Sequence, residues 1–476
     1  MFRGRVRHVH FVGVGGIGMS GLAEILRTLE FDVSGSDLRE GENTRRLKRL
    51  GVRIDVGHRA ENVQGADVVV YSSAISPQNP EMLEANALGM PVITRAEMLA
   101  ELMRVKYGVG IAGSHGKTTT TSLVATVLRA AGFDPTVVVG GRMEALGSNA
   151  RLGEGDMLVA EADESDGSFL ELAPEVAAVT NVELDHHSHW GGERELIAAF
   201  AKFTGPAASV VRPSGPELAA LDAAGSISTF ALSEPGAPPP AAATVLATDI
   251  EPAAGGSTFT LISAEAGEQR VRLAIPGRHN VIDATCAIAA LIEARRLDPV
   301  LPPIEELISA LASFPGMARR LERKGEHRGA LVYDDYAHHP TEVEASLRAL
   351  RELPRPQGGR LIAVFQPHLY SRTKALAPRF GRALALADEV AVLDVYPARE
   401  QPVGELEGVS GLQVAEAAAD AAPGKRVRWL GGLDAAAAAL ATDESIGVGD
   451  IVVTIGAGDV VKVAERLVAA EAGRHS

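Results

Sequence analysis

The residues best suited to chemistry lie in one short segment, residues 109–120, with the sequence VGIAGSHGKTTT. An apolar run at residues 107–111 predicts a buried strand, and a helical pattern begins near Thr118 after a glycine turn. The N–H groups of such a turn and the helix N-terminus bind phosphate, the lysine neutralises charge, and a threonine hydroxyl can reach Mg²⁺. A plain turn would explain the glycines, but not Lys117 followed by three threonines. We therefore predict that a nucleoside triphosphate binds to Gly113, Ser114, His115, Gly116, Lys117, Thr118 and Thr119.

Acidic and imidazole groups follow the next two predicted strands. The strand at residues 156–162 ends in EADE (161–164), and NVELDHHSH (181–189) ends the strand after it. Hard cations take oxygen ligands, and the carboxyl ends of parallel strands beside a phosphate loop are where Mg²⁺ ligands lie. The acids could instead be loop and N-cap residues, and the three histidines could indicate zinc. Because no cysteine lies nearby, we interpret one histidine as a contact to Mg²⁺ or substrate.

A second glycine-rich segment, GVGGIG at residues 13–18, follows a strand pattern and precedes a helix pattern. With Asp37 about twenty residues further on, it fits the dinucleotide fingerprint, which taken alone predicts NAD. The same geometry suits any diphosphate, because glycines let the backbone approach and the helix end attracts an anion. A plain tight turn is the third interpretation. We favour a diphosphate ligand, with Ser73 at the end of another strand lining the same crevice.

Later motifs carry further candidates. GRHN (277–280) precedes a predicted helix and could present an amide to a base. Arg320 lies at a predicted domain boundary, where an arginine can reach the γ-phosphate, although an exposed ion pair with Glu322 would also explain it. DDYAHHP (334–340) and FQPHLYSRT (365–373) each end a predicted strand, and an arginine in the latter could hold a carboxylate.

The elements that position these motifs alternate between strand and helix patterns along almost the whole chain. This alternation predicts an α/β fold with parallel sheets flanked by helices. A length of 476 residues predicts about three domains. We place them at residues 1–106, with the first glycine loop, at 107–316, with the phosphate loop, and at 317–476, with the later motifs.

The composition excludes several classes of partner. A net charge of −15 and the lack of a long basic run argue against nucleic-acid and membrane-surface partners. One cysteine, Cys286, excludes an internal disulfide and fits a reducing cytosol. The sequence begins without a signal-peptide pattern and contains no apolar stretch long enough to span a membrane. We therefore expect a cytoplasmic protein. The sequence does not give its oligomeric state, for which we expect a monomer or a weak homodimer.

Together, the motifs resemble the Mur ligase family, and within it the branch that adds L-alanine to UDP-N-acetylmuramate in bacterial cell-wall synthesis. The blocks that carry the resemblance, in the family's order, are HFVGVGGIGMSG (10–21), GSHGKTTTT (113–121), AEADESD (160–166), TNVELDH (180–186), GRHN (277–280), ARRLE (318–322), DDYAHHPTE (334–342), FQPHLYSRT (365–373) and GAGD (456–459). The resemblance implies a Rossmann-like N-terminal domain that binds the UDP-sugar, a central P-loop ATPase-like domain with a parallel sheet, and a C-terminal Rossmann-like domain that binds the amino acid. It also implies a ligase that forms an acyl phosphate from ATP and the lactyl carboxylate, which the amine of L-alanine then attacks.

The resemblance implies roles for the residues that would perform this chemistry. Lys117 holds the β- and γ-phosphates, and Thr118 and Glu161 bind one Mg²⁺. His186 binds a second metal ion that bridges the γ-phosphate and the substrate carboxylate. Arg320 reaches the γ-phosphate. Lys117, His186 and Arg320 are therefore the expected catalytic residues.

The remaining implied contacts concern the nucleoside and the two substrates. Asn280 is expected at the adenine and Asp335 at the ATP ribose, with His339 near the phosphates. The UDP diphosphate is expected on the first glycine loop, formed by Gly15, Gly16, Ile17 and Gly18, with Ser73 nearby. His368 and Arg372 are expected at the L-alanine end.

Two departures from the family pattern bear on these roles. Family members usually continue the metal motif as His-Met-Asp-x-Tyr, whereas this chain has Ser188 at the position of the acid. The family's HNxxN motif ends in Asp283 here, which puts a second amide contact in doubt. Two other classes stay open at this point: an NAD-dependent oxidoreductase with a fused NTPase domain, and a nucleotide-gated binding protein without chemistry of its own.

Overall fold

The computed structural model describes residues 6–72, 74–104, 106–143, 148–184, 190–222, 225–233, 240, 243–253, 255–354, 358–398 and 400–472. Internal contacts divide the chain into two compact units. The first consists of Met1–Asp249, Thr260–Val271 and Ile282–Phe314, and the second of Ile250–Phe259, Arg272–Val281 and Pro315–Ser476. The predicted α/β fold with sheets rich in parallel strands is confirmed.

The first sheet has five strands and follows from short apolar segments that are separated by helices. Its strands are β1 (His8–Val12), β2 (Asp32–Asp37), β3 (Arg53–Val56), β4 (Val68–Tyr71) and β5 (Val92–Thr94), and the helices are α1 (Ile17–Thr28), α2 (Glu42–Arg49), α3 (Pro80–Ala87) and α4 (Arg95–Met103). All its pairings are parallel, in the order β3-β2-β1-β4-β5. Strands β2 and β3 are added on one side of β1, and β4 and β5 on the other. Open α/β sheets bind ligands at such a point, where the strand order switches sides.

The second sheet has ten strands. They are β6 (Tyr107–Ala112), β7 (Thr136–Met143), β8 (Ser148–Arg151), β9 (Met157–Glu161), β10 (Val176–Val179), β11 (Ser209–Pro213), β12 (Ser226–Leu232), β13 (Val245–Ala253), β14 (Gly256–Ser263) and β15 (Gly267–Leu273). The helices of this region are α5 (Lys117–Ala130), α6 (Glu193–Thr204), α7 (Arg278–Leu297) and α8 (Ile304–Ala310). The strand order is β15-β14-β13-β12-β11-β10-β6-β9-β7-β8. Strand β6 therefore lies between β10 and β9, parallel to both, so the phosphate loop and the acids meet at one edge.

One sequence prediction about this region is wrong in detail. We expected the motif at residues 277–280 to precede a helix. Instead α7 begins at Arg278, so the last three residues of the motif lie in its first turn. Its Asn280 side chain donates to the Pro276 carbonyl at 2.6 Å, so the amide stabilises the start of this helix.

The third sheet has six strands and belongs to the second unit. Its strands are β16 (Glu322–His327), β17 (Ala330–Asp335), β18 (Leu361–Phe365), β19 (Glu389–Leu393), β20 (Arg426–Gly431) and β21 (Ile451–Ile455). Its helices are α9 (Pro340–Glu352), α10 (Tyr370–Leu384), α11 (Gly411–Ala421), α12 (Leu433–Ala441) and α13 (Val461–Ala472). The order is β16-β17-β21-β18-β19-β20, with only β16 antiparallel to its neighbour. Among the helices within the described ranges, none combines the length and apolar character needed to cross a bilayer.

Candidate active site

The phosphate loop adopts the strand–turn–helix geometry predicted from the sequence. Strand β6 ends at Ala112 and α5 begins at Lys117. Gly113 has φ +135° and Gly116 has φ +79°, a region that favours glycine. A Cβ on Gly113 would overlap the Thr180 hydroxyl, and one on Gly116 would overlap the carboxylate of Asp283. Both glycines are therefore required by backbone conformation and by close neighbours.

The end of strand β10 holds this loop in place. The Asn181 side chain accepts from the His115 backbone N–H at 3.0 Å and donates to the His115 carbonyl at 2.9 Å. The Ser114 hydroxyl donates to the Glu183 carbonyl at 2.7 Å, and the Glu183 carboxylate lies 3.1 Å from Nε2 of His115. The sequence pattern gives Asn181 and Glu183 no role, because only the pairing of β10 with β6 brings them to the loop.

The Lys117 ammonium group lies at the centre of the loop. It donates to the Gly113 carbonyl at 2.7 Å and to the Glu164 carboxylate at 2.6 Å. Burial alone would lower the pKa of Lys117, but the charges of Glu164, Asp163 and Glu161 raise it, so the lysine stays protonated. Burial raises the pKa of Glu164 to about 6, because Lys117 offsets only part of the desolvation.

Two predicted metal ligands are brought together beside the lysine. The Thr118 hydroxyl donates to a carboxylate oxygen of Glu161 at 3.0 Å. These two oxygen ligands, one from the first turn of α5 and one from the end of β9, fit the hard-oxygen donor set that Mg²⁺ requires. Thr119, also in the first turn of α5, is buried. The predicted second metal ligand, His186, lies outside the described residues.

The first glycine loop is held by the end of strand β2. The backbone N–H groups of Gly13 and Val14 both donate to the Ser36 carbonyl at 2.9 Å. The Gly15 N–H donates to the Asp37 carboxylate at 2.8 Å. Asp37, which in the fingerprint would contact a ribose, therefore stabilises the loop itself.

The other predicted residues of this loop lie at the start of α1. Gly16 is the N-cap residue of the helix, and Ile17 and Gly18 are its first two residues. Their N–H groups thus belong to the helix end that attracts an anion. Ser73 lies outside the described residues.

In the second unit, two adjacent arginines differ in their contacts. Arg319 donates to the Asp334 carboxylate at 3.0 Å and to the carbonyls of Gly456 and Gly458 at 2.6 and 3.0 Å. The guanidinium of Arg320 lies 5.4 Å from the centre of the Tyr336 ring. The Arg320 backbone N–H donates to the Met317 carbonyl at 3.2 Å. Within the described part of the chain, its guanidinium forms neither a hydrogen bond nor an ion pair, so its five donors are available to a ligand.

Asp335 lies at the end of β17, next to this pair of arginines. It accepts from the backbone N–H groups of Leu321 and Ala337, both at 2.7 Å. Burial raises its pKa to about 6, while Arg320 and the two N–H donors oppose the shift. Arg319 and Leu321 have φ values of +60° and +45°. The backbone on both sides of Arg320 is therefore held in a conformation that costs free energy.

The predicted amino-acid end forms a cluster of rings. His368 stacks on Tyr396, with 5.7 Å between ring centres, and lies 6.0 Å from His338. Burial lowers the pKa of His368 to about 4, and the nearby charges of His338 and Arg372 add to this effect. His339 is fully buried at the N-cap of α9. Tyr396 was not predicted, because its sequence context carries no motif.

Comparison with known proteins decides the family. Three family models match in succession: "Mur ligase family, catalytic domain" at residues 8–107, "Mur ligase middle domain" at residues 111–291, and "Mur ligase, glutamate ligase domain" at residues 319–458. The chain belongs to the Mur ligase family. This Mur ligase is 49% identical to a UDP-N-acetylmuramate–L-alanine ligase of Sorangium cellulosum, over 97% of this chain and 95% of the relative. It is 45% identical to the protein of the same name from Geobacter sp. strain M21, over 98% and 97%.

Solved structures agree with this assignment. The Mur ligase matches the crystal structure of a UDP-N-acetylmuramate–alanine ligase from Thermotoga maritima with a TM-score of 0.78 and 28% identity, over 98% of this chain and 99% of the other. A murein peptide ligase from Psychrobacter arcticus matches with a TM-score of 0.66 at 24% identity, over 97% and 98%, which shows the shared fold. Membership of the Mur ligase family excludes the two alternatives, an NAD-dependent oxidoreductase and a binding protein without chemistry.

Proposed function

We propose that this chain joins L-alanine to the lactyl carboxylate of UDP-N-acetylmuramate at the expense of ATP, giving UDP-N-acetylmuramoyl-L-alanine, ADP and phosphate in peptidoglycan synthesis. The observation that carries this proposal is the 49% identity to a ligase of that name over nearly the whole of both chains. The phosphate loop with Lys117 and the separate glycine loop at residues 13–18 supply one site for a triphosphate and one for a diphosphate.

The chemistry explains why the enzyme needs both sites. A carboxylate is a poor electrophile, so its oxygen first takes the γ-phosphoryl group of ATP, which gives a mixed anhydride and ADP. The amine of L-alanine then attacks the acyl carbon, and phosphate leaves as the amide forms and the amine loses a proton. Catalysis of such steps is mostly positioning and neutralisation of charge.

On this proposal, the phosphate loop and Lys117 hold the β- and γ-phosphates of ATP. Thr118 and Glu161 hold Mg²⁺, which supplies charge neutralisation at the phosphates when bound. Arg320 stabilises the charge that develops on the γ-phosphate. His186 as the second metal ligand stays a prediction, and so do the nucleoside contacts of Asp335, His339 and Asn280.

The substrate contacts are part of the same proposal. We assign the UDP diphosphate to Gly15, Gly16, Ile17, Gly18 and Ser73, and the L-alanine end to His368 and Arg372. The domain boundaries after residues 106 and 316 also remain proposals. Since the reaction consumes ATP and a nucleotide sugar, we place it in the cytoplasm, and the monomeric or weakly dimeric state stays a prediction.

The decisive experiment measures phosphate release by the purified protein with ATP and Mg²⁺. UDP-N-acetylmuramate and L-alanine are added singly and then together, and the masses of the products are measured by mass spectrometry. We expect release only when both are present, with a product heavier by one alanyl residue. Release with murein tripeptide but not with L-alanine would instead assign the chain to the murein peptide ligases, and no release with either would contradict the proposal.

A further inference from the structure

Arg95 occupies a defined position at the start of helix α4. It directly follows strand β5, at the carboxyl edge of the first sheet, and is the first residue of the helix. Thr94 caps this helix in a reciprocal pair of bonds: its hydroxyl accepts from the Glu97 N–H at 3.2 Å, and its own N–H donates to the Glu97 carboxylate at 2.6 Å. This capping box fixes the direction in which the Arg95 side chain leaves the backbone.

The Arg95 side chain crosses the first glycine loop at Gly18. A Cβ placed on Gly18 would lie 3.0 Å from Cδ, 3.2 Å from Nη1 and 3.4 Å from Nε of Arg95. The absence of a side chain at Gly18 therefore leaves room for the guanidinium. Gly18 is the second residue of α1, so the guanidinium lies beside the N–H groups to which we assign the diphosphate.

The guanidinium of Arg95 has a neighbour of opposite charge, Asp163, but no direct partner. Burial alone would raise the pKa of Asp163, but Lys117, the bonds from Ser165 and the charge of Arg95 lower it below its usual value. Arg95 therefore lies within electrostatic range of Asp163. Asp163 belongs to the acids beside the phosphate loop. Considering only the described residues, the Arg95 side chain forms no hydrogen bond and no ion pair. On the same helix, Arg104 is paired with Glu101 at 2.7 Å.

A half-buried guanidinium with open donors next to a helix N-terminus favours a bound anion. Its positive charge repels the positive end of helix α1, and a bound anion would interact favourably with both. Its planar fork matches two phosphate oxygens at once, which a lysine ammonium group does not.

We propose that Arg95 is a substrate-binding residue that holds the diphosphate of the nucleotide sugar against the Gly15–Gly18 loop. This inference rests on the proposed function, because it takes UDP-N-acetylmuramate as the ligand. Arg95 adds a charged, bidentate contact to a site that otherwise offers backbone N–H groups, of which that of Gly15 is already bonded to the Asp37 carboxylate.

The test compares Arg95→Met and Arg95→Lys with Arg104→Met as the matched control on the same helix. We expect Arg95→Met to raise the KM for UDP-N-acetylmuramate at least about tenfold, since a charge-assisted bond contributes that much or more. In Arg95→Met, the KM for ATP and kcat should stay within about twofold of wild type, and the unfolding temperature should be unchanged. Arg95→Lys should recover part of the loss, and Arg104→Met should behave as wild type.

Calorimetric titration with UDP alone separates this proposal from the proposed function. We expect UDP to bind wild type and to bind Arg95→Met at least about tenfold more weakly, whether or not L-alanine is the second substrate. Equal affinity of UDP for wild type and Arg95→Met would overturn the proposal. So would a lower unfolding temperature with an unchanged KM, since that result would make Arg95 a structural partner of Asp163. Failure of turnover with intact, Arg95-dependent UDP binding would contradict only the proposed reaction.

Discussion

The ammonium nitrogen of Lys117 lies 2.6 Å from a carboxylate oxygen of Glu164, and the two side chains are only 12% and 2% exposed. The carboxylate thus neutralises the lysine that the phosphates of ATP would otherwise engage. Glu164 and the phosphates of ATP would both bind the ammonium group of Lys117. When ATP binds, Lys117 therefore has to exchange Glu164 for a phosphate. A buried ion pair of this kind is costly to break on one side only.

Glu164→Gln tests this exchange. Because the variant leaves Lys117 with less compensation, we expect the free energy of unfolding to fall by roughly 3 kcal/mol. We also expect MgATP to raise the unfolding temperature more in the variant than in wild type, since Lys117 is freer to bind phosphate. Thermal unfolding with and without MgATP, in the absence of the other substrates, measures both effects. Glu171→Gln, on an exposed residue of a nearby turn, is the control; an equal gain from MgATP in both variants would contradict the exchange.

Thr118→Val tests the proposed metal ligand. The change removes the hydroxyl that lies 3.0 Å from Glu161 but keeps the shape of the side chain. We expect the Mg²⁺ concentration at half-maximal turnover to rise about tenfold or more, because one oxygen ligand is lost. Thr126→Val is a matched control on the same helix, since the Thr126 hydroxyl has no hydrogen-bond partner in the part of the chain that the structure describes. An unchanged Mg²⁺ requirement in Thr118→Val would exclude Thr118 as a ligand.

Substitutions of the two adjacent arginines of the second unit should affect different properties, Arg319 stability and Arg320 turnover. Arg319→Met removes the partner of buried Asp334 and the donors to two carbonyls, so we expect a loss of about 3 kcal/mol in unfolding free energy. Arg320→Met should leave stability nearly unchanged but lower kcat at least about 10²-fold, with a smaller effect on the KM for ATP. Denaturant unfolding and steady-state kinetics of both variants give the comparison. If Arg320→Met lowers ATP affinity and kcat equally, Arg320 has no special role in the transition state.

Glu81 gives a prediction for the dependence of stability on pH. This fully buried carboxylate accepts from the Ser36 hydroxyl at 2.6 Å and from the Asn62 amide, and it lies 3.8 Å from His10 and 3.3 Å from His58. Burial alone would raise the pKa of Glu81, but the nearby His10 and the bonds from Ser36 and Asn62 lower it to about 2. A pKa below the unfolded value means that this stabilisation is present above about pH 4.5 and is lost as the pH falls towards 2.

Glu81→Gln should therefore destabilise the protein by up to about 3 kcal/mol at pH 7, and by progressively less below about pH 4.5. Chemical denaturation of wild type and variant at pH 7 and at pH 3.5 measures the difference at each pH. Glu61→Gln, on an exposed residue of the neighbouring turn, should have little effect at either pH. A difference between Glu81→Gln and wild type that is the same at both pH values would show that the charge of Glu81 is not responsible.

Local sequence patterns specify the elements that form the two glycine loops. Residues 107–120 specify a strand, a glycine turn and a helix, because an apolar run, two glycines and a helical pattern act over a few neighbouring residues. The alternation of such units also determined the fold class. Strand β16 carries no strand pattern in its sequence, ERKGEH, which is charged and lacks apolar alternation, so only its pairing with β17 makes it a strand.

Which distant residues meet at these loops depends on how the strands pair and pack. Glu164 pairs with Lys117, Asn181 holds His115, and Arg95 packs on Gly18, although each pair is separated by more than forty positions in the sequence. The tertiary structure also decided that Arg319 is bonded within its own unit while Arg320 keeps its donors open, which identical side chains in adjacent positions cannot reveal. The physical reason is that hydrogen bonds and ion pairs between distant segments depend on strand order and register, and these are fixed by the packing of the whole sheet rather than by any local pattern.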